Sequence, residues 1–114
     1  MNILRFLSVM LACGTSMAAL ACDYPPLVAV PDGETATVEE LVAAQAGVKT
    51  YMAEMELYLE CIDEETAVAG DDAPAQYKAI MASRYNAAVA EMEAIAESFN
   101  NQVKAYKEAH PEEG

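Results

Sequence analysis

The chain has 114 residues, with six basic and nineteen acidic side chains and a formal net charge of −13. That length allows one domain at most. A negative field of this size repels nucleic acid and anionic lipid surfaces, so neither is an expected partner.

Residues 1–21 read as a secretory signal rather than as part of the fold. Arg5 gives a positive start, "FLSVMLACGTSMAAL" is apolar to small, and Ala19-Leu20-Ala21 has the small-x-small form that signal peptidases cut. The apolar run is too short and interrupted for a permanent membrane span. A short signal with one arginine suggests a bacterial chain, placed in the periplasm or outside the cell after cleavage following Ala21. Removal takes away Arg5 but no acid. Nineteen acids then face five bases (Lys49, Lys78, Arg84, Lys104 and Lys107), a charge of −14. Cys13 leaves with the signal. Cys22 and Cys61 remain as an even pair in an oxidising compartment.

Residues 22–36, "CDYPPLVAVPDGETA", predict an extended strap. Pro25, Pro26 and Pro31 fix φ and favour a polyproline-like path. Leu27, Val28 and Val30 make that path apolar, whereas a disordered linker is ordinarily polar. "PDG" at 31–33 is a turn signal.

A first helix is predicted over about 37–69. Thr37 and Glu40 form a capping-box pattern. Val38, Leu41, Val48, Met52, Met55, Leu59 and Ile62 then recur at steps of three and four, with Gln45 the polar exception, as in a heptad seam. Gly70 is the expected stop. In "GDDAP", Asp71 or Asp72 is the expected cap of a second helix over about 73–107, and Pro74 suits its first turn. The second seam is Met81, Tyr85, Ala88, Met92, Ile95, Phe99, Gln102 and Tyr106, widened by Val89, Ala96 and Val103. Residues 108–114 are expected to be a disordered tail.

A loop this short makes the helices antiparallel. Folding about residue 72 sets Ile62 against Met81, Met52 against Met92 and Leu41 against Val103. Gln45 then falls beside Phe99 and Gln102, so a buried glutamine pair is expected to penalise slipped alignments. The fold class is therefore all-α: a long, coiled-coil-like two-helix hairpin with an N-terminal strap. Tyr51, Tyr58 and Cys61 line one edge of the first helix, where the strap can run. The fifteen steps from Cys22 to Thr37 reach roughly 46 Å if polyproline-like. The helix from Val38 to Cys61 is about 35 Å long. A Cys22–Cys61 disulfide is thus in reach. Two other roles for Cys22 compete with it. One is lipid attachment, since Ala19-Leu20-Ala21-Cys22 partly matches a lipobox but lacks its leucine. The other is a redox pair, although no C-x-x-C and no neighbouring cation are present.

Little else carries chemistry. His110, the one histidine, lies in the expected tail, so zinc and copper sites of ordinary type are not expected. Met52 and Met55 suit packing better than copper(I). Glu54, Glu56, Glu60, Asp63, Glu64 and Glu65, and then Glu91, Glu93 and Glu97, lack a calcium-loop pattern. No phosphate loop or nucleophile–base pair occurs, so no catalytic residue, metal or cofactor is expected. The tyrosines (Tyr24, Tyr51, Tyr58, Tyr77, Tyr85, Tyr106) are candidate recognition residues or core-edge packing.

"CDYPP…VPDGETAT", "AQAGVKTYMAEMELYLECI" and "NAAVAEMEAIAESFNNQVKAYK" resemble a group of small exported proteins of proteobacteria. The resemblance spans nearly the whole chain after residue 21. It implies the same strap, hairpin and cysteine pair, and no assigned activity. The expected function is a non-enzymatic interaction protein of the cell envelope, using an uncovered helix face or a homodimer. Val42, Ile80 and Val89 are the apolar residues expected to be poorly covered. An envelope inhibitor of a basic enzyme such as a lysozyme, a small chaperone and a Cys22-anchored lipoprotein are the alternatives.

Overall fold

The computed structural model describes residues 22–112. The predicted signal, 1–21, lies outside the described residues. Two helices follow an extended segment: α1, Val38–Ala69, and α2, Ala75–Ala109. They form an antiparallel hairpin, and no strand occurs among the described residues.

Local chemistry sets three of the four helix ends. Thr37 Oγ1 accepts the Glu40 N–H at 3.1 Å, and Glu40 Oε2 accepts the Thr37 N–H at 3.0 Å, so the predicted capping box starts α1. Gly70 ends α1 with φ of 77°, a conformation that favours glycine, and its N–H bonds the Thr66 carbonyl. The α2 start corrects the expected cap. Pro74, not Asp71 or Asp72, holds the N-cap position and offers no side-chain acceptor. The Lys78 ammonium instead bonds the Asp71 carbonyl. The α2 end also corrects the expected tail. Helix continues through Glu108 and Ala109, because the His110 ring stacks on Tyr106 with centroids 4.3 Å apart. The His110 N–H also bonds the Tyr106 carbonyl.

The strap runs antiparallel to α1 and then crosses to α2. It is tied to Cys61 at Cys22 and packs Val28 on Gly47, where an added Cβ would lie 3.2 Å from Val28 Cγ2. It meets α2 at Gly33, buried against the backbone of Gln102 and Tyr106. Asp32 organises that turn: its carbonyl accepts the Thr35 and Ala36 N–H groups, and its carboxylate accepts the Glu34 N–H.

The strap shifts the buried face of α1. Leu41, Val48, Met55 and Ile62 are buried as the seam predicts. The positions between them are Ala44, Tyr51 and Tyr58, buried on the strap side, rather than Gln45, Met52 and Leu59. Met52 and Leu59 are half-buried beside the core. Val38 is 50% exposed and Gln45 is exposed, which removes both from the predicted seam. The strap pulls the buried arc toward 44, 51 and 58, and the drift of about 20° per heptad in the 38-45-52-59 series leaves its first two members farthest from that arc.

The α2 seam holds throughout. Met81 and Ala88 are buried; Tyr85, Val89, Met92, Ile95, Ala96, Phe99, Gln102, Val103 and Tyr106 are half-buried. Ile62 and Met81 line one depression with Thr66 and Lys78, as the predicted register requires. Val42 and Ile80 are exposed as expected, while Val89 is better covered. No helix among the described residues is long and apolar enough to cross a membrane.

Candidate functional site

Chemistry-bearing side chains gather where the strap begins. The Cys22–Cys61 disulfide joins residues 39 apart in sequence with Cα atoms 5.7 Å apart. The sulfur that a lipid thioether would need is therefore engaged. The carboxylate of Glu65 lies within 4.8 Å of both sulfurs. Metals bind thiolates, so the oxidised trio offers one carboxylate and no soft ligand.

Three tyrosines follow. Tyr24 meets Tyr58 edge to face, with centroids 5.0 Å apart. Tyr51 is 2% exposed, and its hydroxyl reaches no acceptor at bonding geometry. Its pKa is pushed from 10.0 up to about 12, first by burial, then by the charges of Tyr24 and Glu91, and last by a contact with the Tyr24 hydroxyl that falls short of hydrogen-bond geometry. A phenol held this far above neutrality is no general base; it is a packed ring with a polar tip.

The strap and α1 enclose a shallow depression of about 410 Å³. It is lined by Asp23, Tyr24, Pro25 and Pro26 on one side and Glu54, Leu57, Tyr58 and Cys61 on the other. Its apolar rim is unusually open: Tyr24 is 47% and Leu57 65% exposed. Leu27, next along the strap, is 69% exposed. Leu57 was not singled out in the sequence, because it lies off the heptad seam among acids. Glu60 and Glu64 follow it at three and seven residues, which places them on its helix face.

The two helices differ in charge. Residues 38–69 carry eight acids and one base, Lys49; residues 75–109 carry four of each (Glu91, Glu93, Glu97, Glu108; Lys78, Arg84, Lys104, Lys107). The strap adds Asp23 beside α1, and Asp32 and Glu34 where it meets α2, and no base. The acidity is thus concentrated on α1 and the strap rather than on α2. Counting charges helix by helix exposes it; the total conceals it.

The predicted glutamine pair does not form. Gln102 Oε1 accepts the Gly33 N–H at 2.8 Å, fixing the strap turn to α2. Gln45, exposed, has no part in it. His110 caps α2 and lies away from the disulfide, at the opposite end of the hairpin. Comparison with protein-family models, with curated proteins and with solved structures finds no match.

Proposed function

We propose that the chain is an exported, non-enzymatic interaction protein of the bacterial cell envelope. Its acidic strap-and-α1 face would receive a protein partner. One observation carries the reading. Tyr24, Leu27 and Leu57 stand open to solvent on or beside a face that is otherwise strongly charged. Scattered exposed apolar residues are ordinary, but a group of them rimmed by polar residues is how interaction sites are built. The Cys22–Cys61 link supports an oxidising compartment, and hence export before the strap is buckled. No catalytic residue is assigned.

The test is site-specific photo-crosslinking from position 57 in the producing cell, with sedimentation of the purified chain alone. The reading expects a discrete crosslinked partner. A sharp monomer that crosslinks to nothing from position 57, or from position 27, contradicts it. The acidity of α1 also favours the inhibitor form of this reading, directed at a basic enzyme. Titration into a lysozyme assay decides that form, and unaltered lysis at excess protein removes it.

A further inference from the structure

We propose that the depression beside Cys22–Cys61 binds a cationic peptide segment of another protein, with one apolar or aromatic side chain seated against Tyr24, Pro26 and Leu57. This deepens the interaction reading above and rests on it.

The shape supplies the anchor point. Pro25 is buried and Tyr24 leans edge-on against Tyr58, so the strap side of the depression is stiff. The disulfide pins its end. A surface already ordered loses little entropy when a side chain docks on it. Its open apolar atoms belong to Tyr24 and Leu57, which a seated ring or leucine would cover.

The charge selects the occupant. Asp23 and Glu54 line the depression itself, and Glu60 and Glu64 share the helix face of Leu57. No lysine or arginine occurs between Lys49 and Lys78, nor in the strap. The side chains of the rim are therefore anionic, and the one cation that cleavage after Ala21 would place beside them is the Cys22 α-ammonium. A partner segment with lysines or arginines flanking its anchor would neutralise the rim, and would be steered toward it at low salt. A second copy of this chain is a poor occupant by the same argument, because it would bring its own Asp23, Glu54, Glu60 and Glu64 to the same place. Two like rims repel, and such contacts are a device against wrong partners. An anionic membrane surface is disfavoured likewise.

The test uses a labelled synthetic peptide with a central Trp-Leu pair flanked by lysines. Its controls are a Ser-Ser analogue of the centre and a glutamate-flanked analogue. The full exported chain with its disulfide intact is followed by amide NMR shifts and by fluorescence anisotropy. The lysine-flanked Trp-Leu peptide should shift residues 23–27 and 54–64. Its affinity should fall at least about tenfold in a Leu27→Ser/Leu57→Ser variant, which removes Leu57 from the seat and its exposed neighbour Leu27. It should weaken further as salt rises to about 0.3 M, where the screening length is short. Both leucines are exposed, so the variant should keep the helical signal and melting point of the parent.

Three results would overturn the proposal. One is no binding. Another is equal binding of the Ser-Ser analogue, with shifts spread to Glu39 and Glu40, which is unspecific charge pairing. The last is concentration-dependent shifts at the depression without any peptide, which would mean that a second copy occupies it. Failure here is separable from failure of the interaction reading. A cellular partner captured equally well by the Leu27→Ser/Leu57→Ser variant sinks this site but leaves an interaction protein. Peptide binding at the depression without any cellular partner leaves the site and removes the function.

Discussion

Gly33→Ala should loosen the strap from α2, and its cost can be worked from the contacts. Gly33 is not in a positive-φ conformation, since Gly70 alone is so among the described residues. Alanine therefore adds no backbone strain, and it lowers unfolded-state entropy, a gain of about 0.5 kcal/mol. The cost is steric. A Cβ at this position would lie 1.9 Å from the Gln102 carbonyl oxygen, 2.8 Å from its carbon and 3.0 Å from the Tyr106 nitrogen. These are helix backbone atoms and cannot swing aside. The turn must retreat by roughly 1 Å or more, and a hydrogen bond does not survive a stretch of that size. The 2.8 Å bond from Gly33 N–H to Gln102 Oε1 is then lost. Its net worth is about 1 kcal/mol, and forcing atoms into a filled contact costs about 1–3 kcal/mol. After the entropy gain, a destabilisation of about 1.5–3.5 kcal/mol follows, or about 6–28 °C in melting temperature for so small a domain. Urea unfolding followed by helical circular dichroism measures it. Gln102→Ala alone should cost about 1 kcal/mol and should cost nothing further in the Gly33→Ala background, because the bond is already broken. A Gly33→Ala loss under about 0.5 kcal/mol, or strict additivity with Gln102→Ala, would refute the close approach of strap and helix.

Replacing both cysteines by serine opens a loop of 39 residues. The chain-entropy model gives a loss of about 4 kcal/mol, and a loss below about 1 kcal/mol in urea titration would show that the link does not constrain the unfolded chain. Thr37→Ala removes half of the capping box and should cost about 1 kcal/mol, with the first turn of α1 exchanging its amide protons faster. Tyr51 gives a pH signature. Its folded-state pKa, raised to about 12, exceeds the ordinary 10.0, so its contribution is complete below pH 10.0 and is lost as pH rises toward about 12. Compared with the parent over that window, Tyr51→Phe should show a shallower fall. At neutral pH it should be equal in stability or firmer by up to about 1 kcal/mol, because the buried hydroxyl that is removed makes no well-formed hydrogen bond. A large loss at neutral pH would mean that the hydroxyl is well bonded.

Those features of the fold that depend on local chemistry or on simple periodicity are legible in the sequence. The Thr37–Glu40 box, the Gly70 stop, the strap and the register of α1 against α2 need only neighbouring residues and the 3.6-residue period. The site was harder to read, for one reason: a third element changes which side of a helix is inside. Two helices alone make 45, 52 and 59 the seam positions. Adding the strap makes 44, 51 and 58 the buried ones, so Tyr51 and Tyr58 are core and Gln45 is surface. The same geometry breaks the expected glutamine pair, since Gln102 meets the backbone of Gly33 before it can meet Gln45. Leu57 shows the converse. Its surroundings are polar in sequence, and only the folded strap brings Tyr24 and Pro26 beside it. The concentration of acid on α1 was readable by assigning each charge to its helix.

The strap is buckled at Cys22–Cys61, and the proposed function has the chain begin at Cys22 after export. Intact mass of the exported protein, before and after reduction and thiol alkylation, tests this most directly. The predicted species has the mass of residues 22–114 less about two hydrogens, and takes up two alkyl groups only after reduction. A mass higher by several acyl chains, or two thiols that alkylate without reductant, would contradict it.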